Sequence, residues 1–265
     1  MRYARIFLLH LENLLEHRSR SFIWFLISVF NPLLLLMFWK GVFQAKNTIP
    51  HEWTFSVVAS YYFLLAVMSA FLTSHVEEDI SRTDIQEGQL TRYLMRPFSY
   101  YWFKFFEEIP YRILQGFFGV VVGICFFVFF GQFFTISTNP FIIILGVCIG
   151  FLAYFLSFTF KMIIGLLAFW LIDIGGFFQL IEIVMLIFAG YILPIELLPD
   201  SFHLLAEVLP FSYMIYFPVT VLQGKYELFI VGKIMLIQVV WLLIFLAIYR
   251  KLWKIGLQKF TAVGQ

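Results

Sequence analysis

Between Ile113 and Phe160 the chain runs for 48 residues without a single charged side chain. A helix needs roughly 20 apolar residues to cross the ~30 Å of hydrocarbon in a bilayer, so this run is about two crossings laid end to end. Its turn-like break is Thr135-Ile136-Ser137-Thr138-Asn139-Pro140, where polar side chains and a proline interrupt the helix pattern. Nothing in the sequence shows the ten-residue alternation of a membrane barrel, so the fold class is all-α and integral to the membrane. Composition agrees, because only 13% of residues are charged, about half the usual share of a soluble domain.

Six spans are expected. Ser21 to Trp39 is uncharged, with Pro32 near its middle and Lys40 at its end, and a short polar loop from Gln44 to Glu52 leads to a second uncharged run, Trp53 to Val76. The long run supplies spans three and four, the latter continuing past Lys161 to Trp170. A turn at Asp173-Ile174-Gly175-Gly176 starts a fifth, about Phe178 to Leu193, and a sixth covers about Leu228 to Tyr249. Pro194, Pro199, Pro210 and Pro218 cut the stretch between spans five and six into pieces too short to cross, so residues 194–227 are expected to form one or two re-entrant helices. Before the first span, Tyr3, Phe7, Leu11 and Leu14 share one helical face, predicting an interfacial amphipathic helix over residues 1–20. One transmembrane domain over residues 1–265 accommodates all of this, and no cleaved leader is expected.

The charges that remain are concentrated. Glu77 to Arg112 holds 12 of the chain's 34 charged side chains, seven acidic and five basic. Placing both termini and this segment in the cytoplasm puts 13 of the 18 Lys and Arg residues there, as the positive-inside rule requires. A net charge of +2 spread over span ends gives no nucleic-acid footprint. Cys125 and Cys148 both fall within spans and are expected to be packed thiols without a disulfide.

Catalytic patterns are missing. The five histidines form no HExxH pair, GxSxG does not occur, and neither Gly224-Lys225-Tyr226 nor Gly232-Lys233-Ile234 follows a phosphate-binding glycine loop. Glu77, Glu78 and Asp79 are adjacent on a helix and so point away from one another, a poor metal cage. Within the charged segment, Gly88 and Pro97 punctuate two short helices, about Ser81 to Gly88 and Leu90 to Met95. That segment reads either as a solvated loop or as a shape seated in a partner's groove.

The residues Glu87-Gly88-Gln89-Leu90-Thr91-Arg92-Tyr93-Leu94-Met95-Arg96-Pro97-Phe98-Ser99 resemble the segment that follows the second span in type-2 permeases of ATP-binding-cassette (ABC) exporters. Gly165 to Trp170, Leu209-Pro210-Phe211, Phe217-Pro218-Val219, Leu222 to Lys225 and Lys259 to Gly264 are similar, in order, to a drug, lipid or polysaccharide exporter-like branch of that family. The resemblance implies a subunit of six spans with an amphipathic N-terminal helix, a cytoplasmic coupling helix between spans two and three, and re-entrant helices between spans five and six. It implies no catalytic residue, metal or cofactor in this chain, ATP and Mg being bound by two separate ABC ATPase subunits. A second permease subunit, identical or homologous, would complete a dimer in the bacterial inner membrane. The coupling contact would be carried by Ile85 and Leu90 as apolar plugs, Glu87 and Arg92 as polar anchors, Gly88 and Arg96 beside them, and Pro97 as a hinge.

Two intramembrane charges stand outside that scheme. Lys161 and Glu182 lie 12 residues before and 9 after Asp173, so antiparallel helices turning there would place them at similar depth. They read as an ion pair, as contacts for a polar substrate, or as interface residues that never meet. Two other functions keep their own signatures: a proton-coupled carrier would work through Glu182 and Lys161, and a lipid-modifying enzyme would need Glu77 to Asp79 to hold a metal.

Overall fold

In the computed structural model, residues 2–16, 18–45, 53–131, 137–171 and 173–260 are described, and every regular element among them is helical. The expected polar loop after Gln44, most of the turn before Asn139 and the end of the basic tail lie outside the described residues.

Six helices stand where spans were expected: α2 (Arg18–Gln44), α3 (Phe55–Leu72), α6 (Tyr100–Phe130), α7 (Pro140–Leu166), α8 (Gly175–Phe188) and α12 (Leu228–Lys259). Their ends follow local chemistry. The Thr54 side chain caps α3 by accepting from the Val57 N–H at 3.3 Å. Asn139 caps α7 by accepting from the Phe141 N–H at 3.0 Å, with Pro140 in the first turn, where no N–H is needed. Helix α12 packs chiefly on α7, α3 lies between α2 and α6, and α1 (Arg2–Glu16) lies on α6.

Three expectations need correction. Helix α8, with 14 residues, is about 21 Å long at 1.5 Å per residue, short of a full crossing, and it ends at Phe188 instead of Leu193. It stops at Ala189-Gly190, where Gly190 takes φ +85° and offers its carbonyl to the Tyr61 hydroxyl at 2.6 Å. A Cβ on Gly190 would sit 2.5 Å from that hydroxyl oxygen, so only glycine fits. Helix α6 begins at Tyr100, ahead of the expected start of the third span at Ile113, and takes in the last third of the charged segment. Its charges are matched along the helix, Lys104 with Glu107 at 3.0 Å and Arg112 with Glu108 at 2.9 Å. Cys148 is exposed on α7, not packed.

The proline-broken stretch forms three short helices, α9 (Asp200–Val208), α10 (Pro210–Met214) and α11 (Tyr216–Leu222). Every residue from Pro210 to Val221 is buried. From α12, buried Gln238 donates to the Tyr213 carbonyl at 2.8 Å and the Ile149 carbonyl at 3.3 Å, tying α10 and α7 to α12. Helix α1 is amphipathic as expected, yet its buried stripe rests on protein: Ile6 is buried, and Tyr3 stacks on Phe106 of α6 with ring centroids 5.1 Å apart. Leu8 and Leu9 face outward.

Candidate functional site

Between α3 and α6 the chain turns through an elbow. Helix α4 (Val76–Glu78) runs on as a π-helical stretch, Asp79–Gln86, and a second short helix, α5 (Thr91–Leu94), follows Gly88. The wide coil closes with the Glu87 N–H on the Arg82 carbonyl at 2.9 Å and the Leu90 N–H on the Asp84 carbonyl at 2.7 Å. Gly88 makes the reversal at φ +76°, a conformation that costs other residues strain. The two expected short helices are therefore present, with Gly88 between them.

The elbow's inner side is fastened by charge. Lys161 of α7 pairs with Glu77, both buried. Gly165, one turn further along α7, lets the elbow approach, since a Cβ there would lie 2.8 Å from the Ile80 Cβ. Asp84 is buried completely; its Oδ2 accepts from the Tyr100 hydroxyl at 2.6 Å and from Lys104 Nζ at 2.8 Å. Lys104 continues to Glu107 at 3.0 Å, and Glu107 meets His10 Nε2 of α1 at 3.0 Å. Tyr100 in turn stacks on Trp253 of α12, centroids 4.6 Å apart. One carboxylate thus joins the elbow to α6, α1 and α12. A neighbouring acid, Glu108, holds the exit of α3, accepting from the Ser74 hydroxyl at 2.8 Å and the His75 N–H at 3.2 Å.

The shared ends fix His10. Its hydrogen bond to Glu107 outweighs partial burial and raises its pKa above the usual imidazole value.

The candidate coupling residues divide between the two sides. Ile85 (8% exposed) and Leu90 (0%) point inward, buried against the rest of the chain, and not outward as plugs would. Glu87, Arg96 and Pro97 are exposed. Arg92 is exposed too, but its guanidinium lies 4.9 Å from the Tyr93 ring centroid and donates to the Tyr93 hydroxyl at 3.0 Å. The apolar outward residues are Leu94 (44%) and Met95 (77%), which the sequence reading did not single out. Their only signal was position, just past the buried Leu90 and Tyr93 on a short helix.

Lys161 and Glu182 are not partners. Lys161 is spent on Glu77, 84 residues away, while Glu182 is exposed on α8 beside exposed Gln179, Leu180 and Ile183. Among the described residues no ion pair includes Glu182 and no group of three His, Cys, Asp or Glu side chains could hold a metal ion. Glu77, needed for a metal cage with Glu78 and Asp79, is occupied by the Lys161 ammonium.

A surface element is thus tied by buried charge to α6 and α7, and by the Tyr100–Trp253 stack to α12. The family described as ABC-2 family transporter protein matches the chain over residues 29–264. No curated protein and no solved structure matches it.

Proposed function

Since the chain belongs to the ABC-2 transporter family and is the permease subunit of an ABC transporter, we propose that it works as an exporter whose elbow is the docking face for the ATPase. In this reading two such permeases, identical or related, form a dimer on two ATPase subunits, with both termini and the elbow in the cytoplasm of a bacterial inner membrane. The chain itself contributes no catalytic group; ATP and Mg belong to the ATPase.

The observation that carries the reading is the two-sidedness of the elbow. Inside, Ile85, Leu90 and Asp84 are buried in the membrane domain; outside, Glu87, Leu94, Met95, Arg96 and Pro97 form an exposed apolar patch with charged flanks. Such a patch on a rigid turn fits a groove on a soluble partner. Glu182 supports the dimer. A carboxylate turned to hydrocarbon costs about 2.5–3.5 kcal/mol on insertion scales, so its exposed face on α8 turns to the second permease or to the substrate path.

Co-purification from native membranes tests this, with wild type against Met95→Asp, an exposed substitution that leaves the fold intact. A nucleotide-hydrolysing subunit bound to wild type and lost from Met95→Asp is the expected result. If wild type purifies without such a subunit under conditions that keep other ABC complexes whole, the reading fails.

A further inference from the structure

Asp84 is half-satisfied. Its Oδ2 has two donors, but its Oδ1 is buried without a hydrogen-bond partner. The cation on the side of that oxygen is Arg92, whose Nη2 stands 4.0 Å away, beyond hydrogen-bond reach, with the side chain about half exposed at 51%. A charge-assisted N–H···O bond closes at about 2.7–2.9 Å, so an inward shift of about 1 Å would complete it. A buried carboxylate oxygen without a donor is costly, so closure of Arg92 onto Oδ1 would relieve a cost that the open arrangement carries.

Arg92 sits on α5, one turn before Met95. Pressure on the exposed Leu94 and Met95 therefore moves the helix that carries the guanidinium. Tyr93, beside it, already packs its ring on Phe103 of α6 with centroids 4.8 Å apart and under Lys104 Nζ at 5.2 Å. Any motion of α5 is felt at the first turn of α6.

We propose that Arg92, Asp84 and Lys104 form a latch, in which Arg92 swings onto the free Oδ1 of Asp84 when the elbow is pressed and so passes the movement through Lys104 to α6. Arg92 is then a positioning residue that faces inward, not an anchor for the partner. The proposal rests on the ATPase-docking reading above and adds how the contact is transmitted.

Spin labels at Val121→Cys on α6 and Val240→Cys on α12, both exposed positions, report relative movement of the two helices in the complex with its ATPase; Cys125→Ser and Cys148→Ser remove the native thiols. Trapping with ATP and vanadate is expected to shift the interspin distance in the parent. Arg92→Gln and Asp84→Asn are each expected to abolish that shift with the ATPase still bound, and Arg92→Lys to keep it. Because Arg92 is at the surface, its substitution does not threaten folding. A full shift in Arg92→Gln overturns the latch. So does loss of the ATPase from Arg92→Gln, which would make Arg92 a docking contact, and so does a parent complex that does not move at all. A parent that never retains an ATPase instead defeats the docking reading itself.

Discussion

Two inserts of short helices interrupt the long ones, and they are held in opposite ways. The elbow between α3 and α6 adds buried charge, Glu77 on Lys161 and Asp84 on Lys104 and Tyr100, to separate apolar anchors at Ile80, Ile85 and Leu90. The insert between α8 and α12 is held by an unbroken buried run, Pro210 to Val221, with Gln238 bonded to backbone carbonyls. Both leave buried polar atoms without partners, but of different kinds. At the elbow these are carboxylate oxygens of Glu77 and Asp84; at the other insert and the helix packed on it they are the amide oxygens of Gln223 and Gln238. A charged acceptor lacking a donor drives rearrangement far harder than a neutral one. Point fastening by charge suits an element that must shift between two positions, and continuous apolar burial suits one that must stay.

The contrast can be broken at several places. The largest effect is expected for Lys161→Met, which strands the buried Glu77 carboxylate and should cost about 3–5 kcal/mol, read as a lower thermal midpoint in detergent. Adding Glu77→Gln should recover much of the loss, because the stranded charge is then gone. If the single variant is as stable as wild type, the elbow is not held by this pair. Next comes Gln238→Met on α12, against the other insert, which removes one donor from two carbonyls and should cost about 1–3 kcal/mol, with no effect on ATPase binding. A loss of the ATPase there would erase the distinction between the inserts.

A smaller effect is expected from pH at the junction of α1 and α6. His10 faces Glu107 and Lys104, and its pKa is raised in the folded protein. The protonated imidazole therefore adds stability that is fully present below the ~6.5 of the free side chain and is lost as pH rises through the folded value. Amide protection in Arg2–Glu16, taken relative to the intrinsic base-catalysed exchange rate at each pH, should fall between about pH 5.5 and about pH 8.5, either side of that ~6.5, and His10→Ala should flatten the change. Equal pH dependence in His10→Ala would assign the effect elsewhere. Smallest of all, Met95→Asp should leave stability within about 0.5 kcal/mol, as for other exposed positions.

Much of this architecture was legible because charge is so scarce. Runs with few or no charges located the six helices that stand where spans were expected, α8 being the short one, and Gly88 with Pro97 located the elbow. What stayed hidden depended on partners distant in sequence. The spacing about Asp173 suggested Glu182 for Lys161, but the true partner, Glu77, comes from an element packed across α7, and no local pattern encodes it. Ile85 and Leu90 were expected as outward plugs only through the family resemblance, not from any pattern in the residues around them. In a segment with a membrane domain beneath it, apolar residues turn down and leave the next ones, Leu94 and Met95, at the surface. Helix α6 began earlier than expected because its charges are paired within the helix or with Asp84 and His10, which lets a charged stretch be helical and partly buried.

The central claim is that the elbow, and not the other insert, meets the ATPase. The most direct measurement is site-specific photocrosslinking in intact cells from two exposed positions, Met95 on the elbow and Leu204 on α9. A crosslinker at Met95 should give an adduct with a nucleotide-hydrolysing subunit, and one at Leu204 should give none. Adducts from Leu204 alone would contradict the account and move the docking face to the opposite insert.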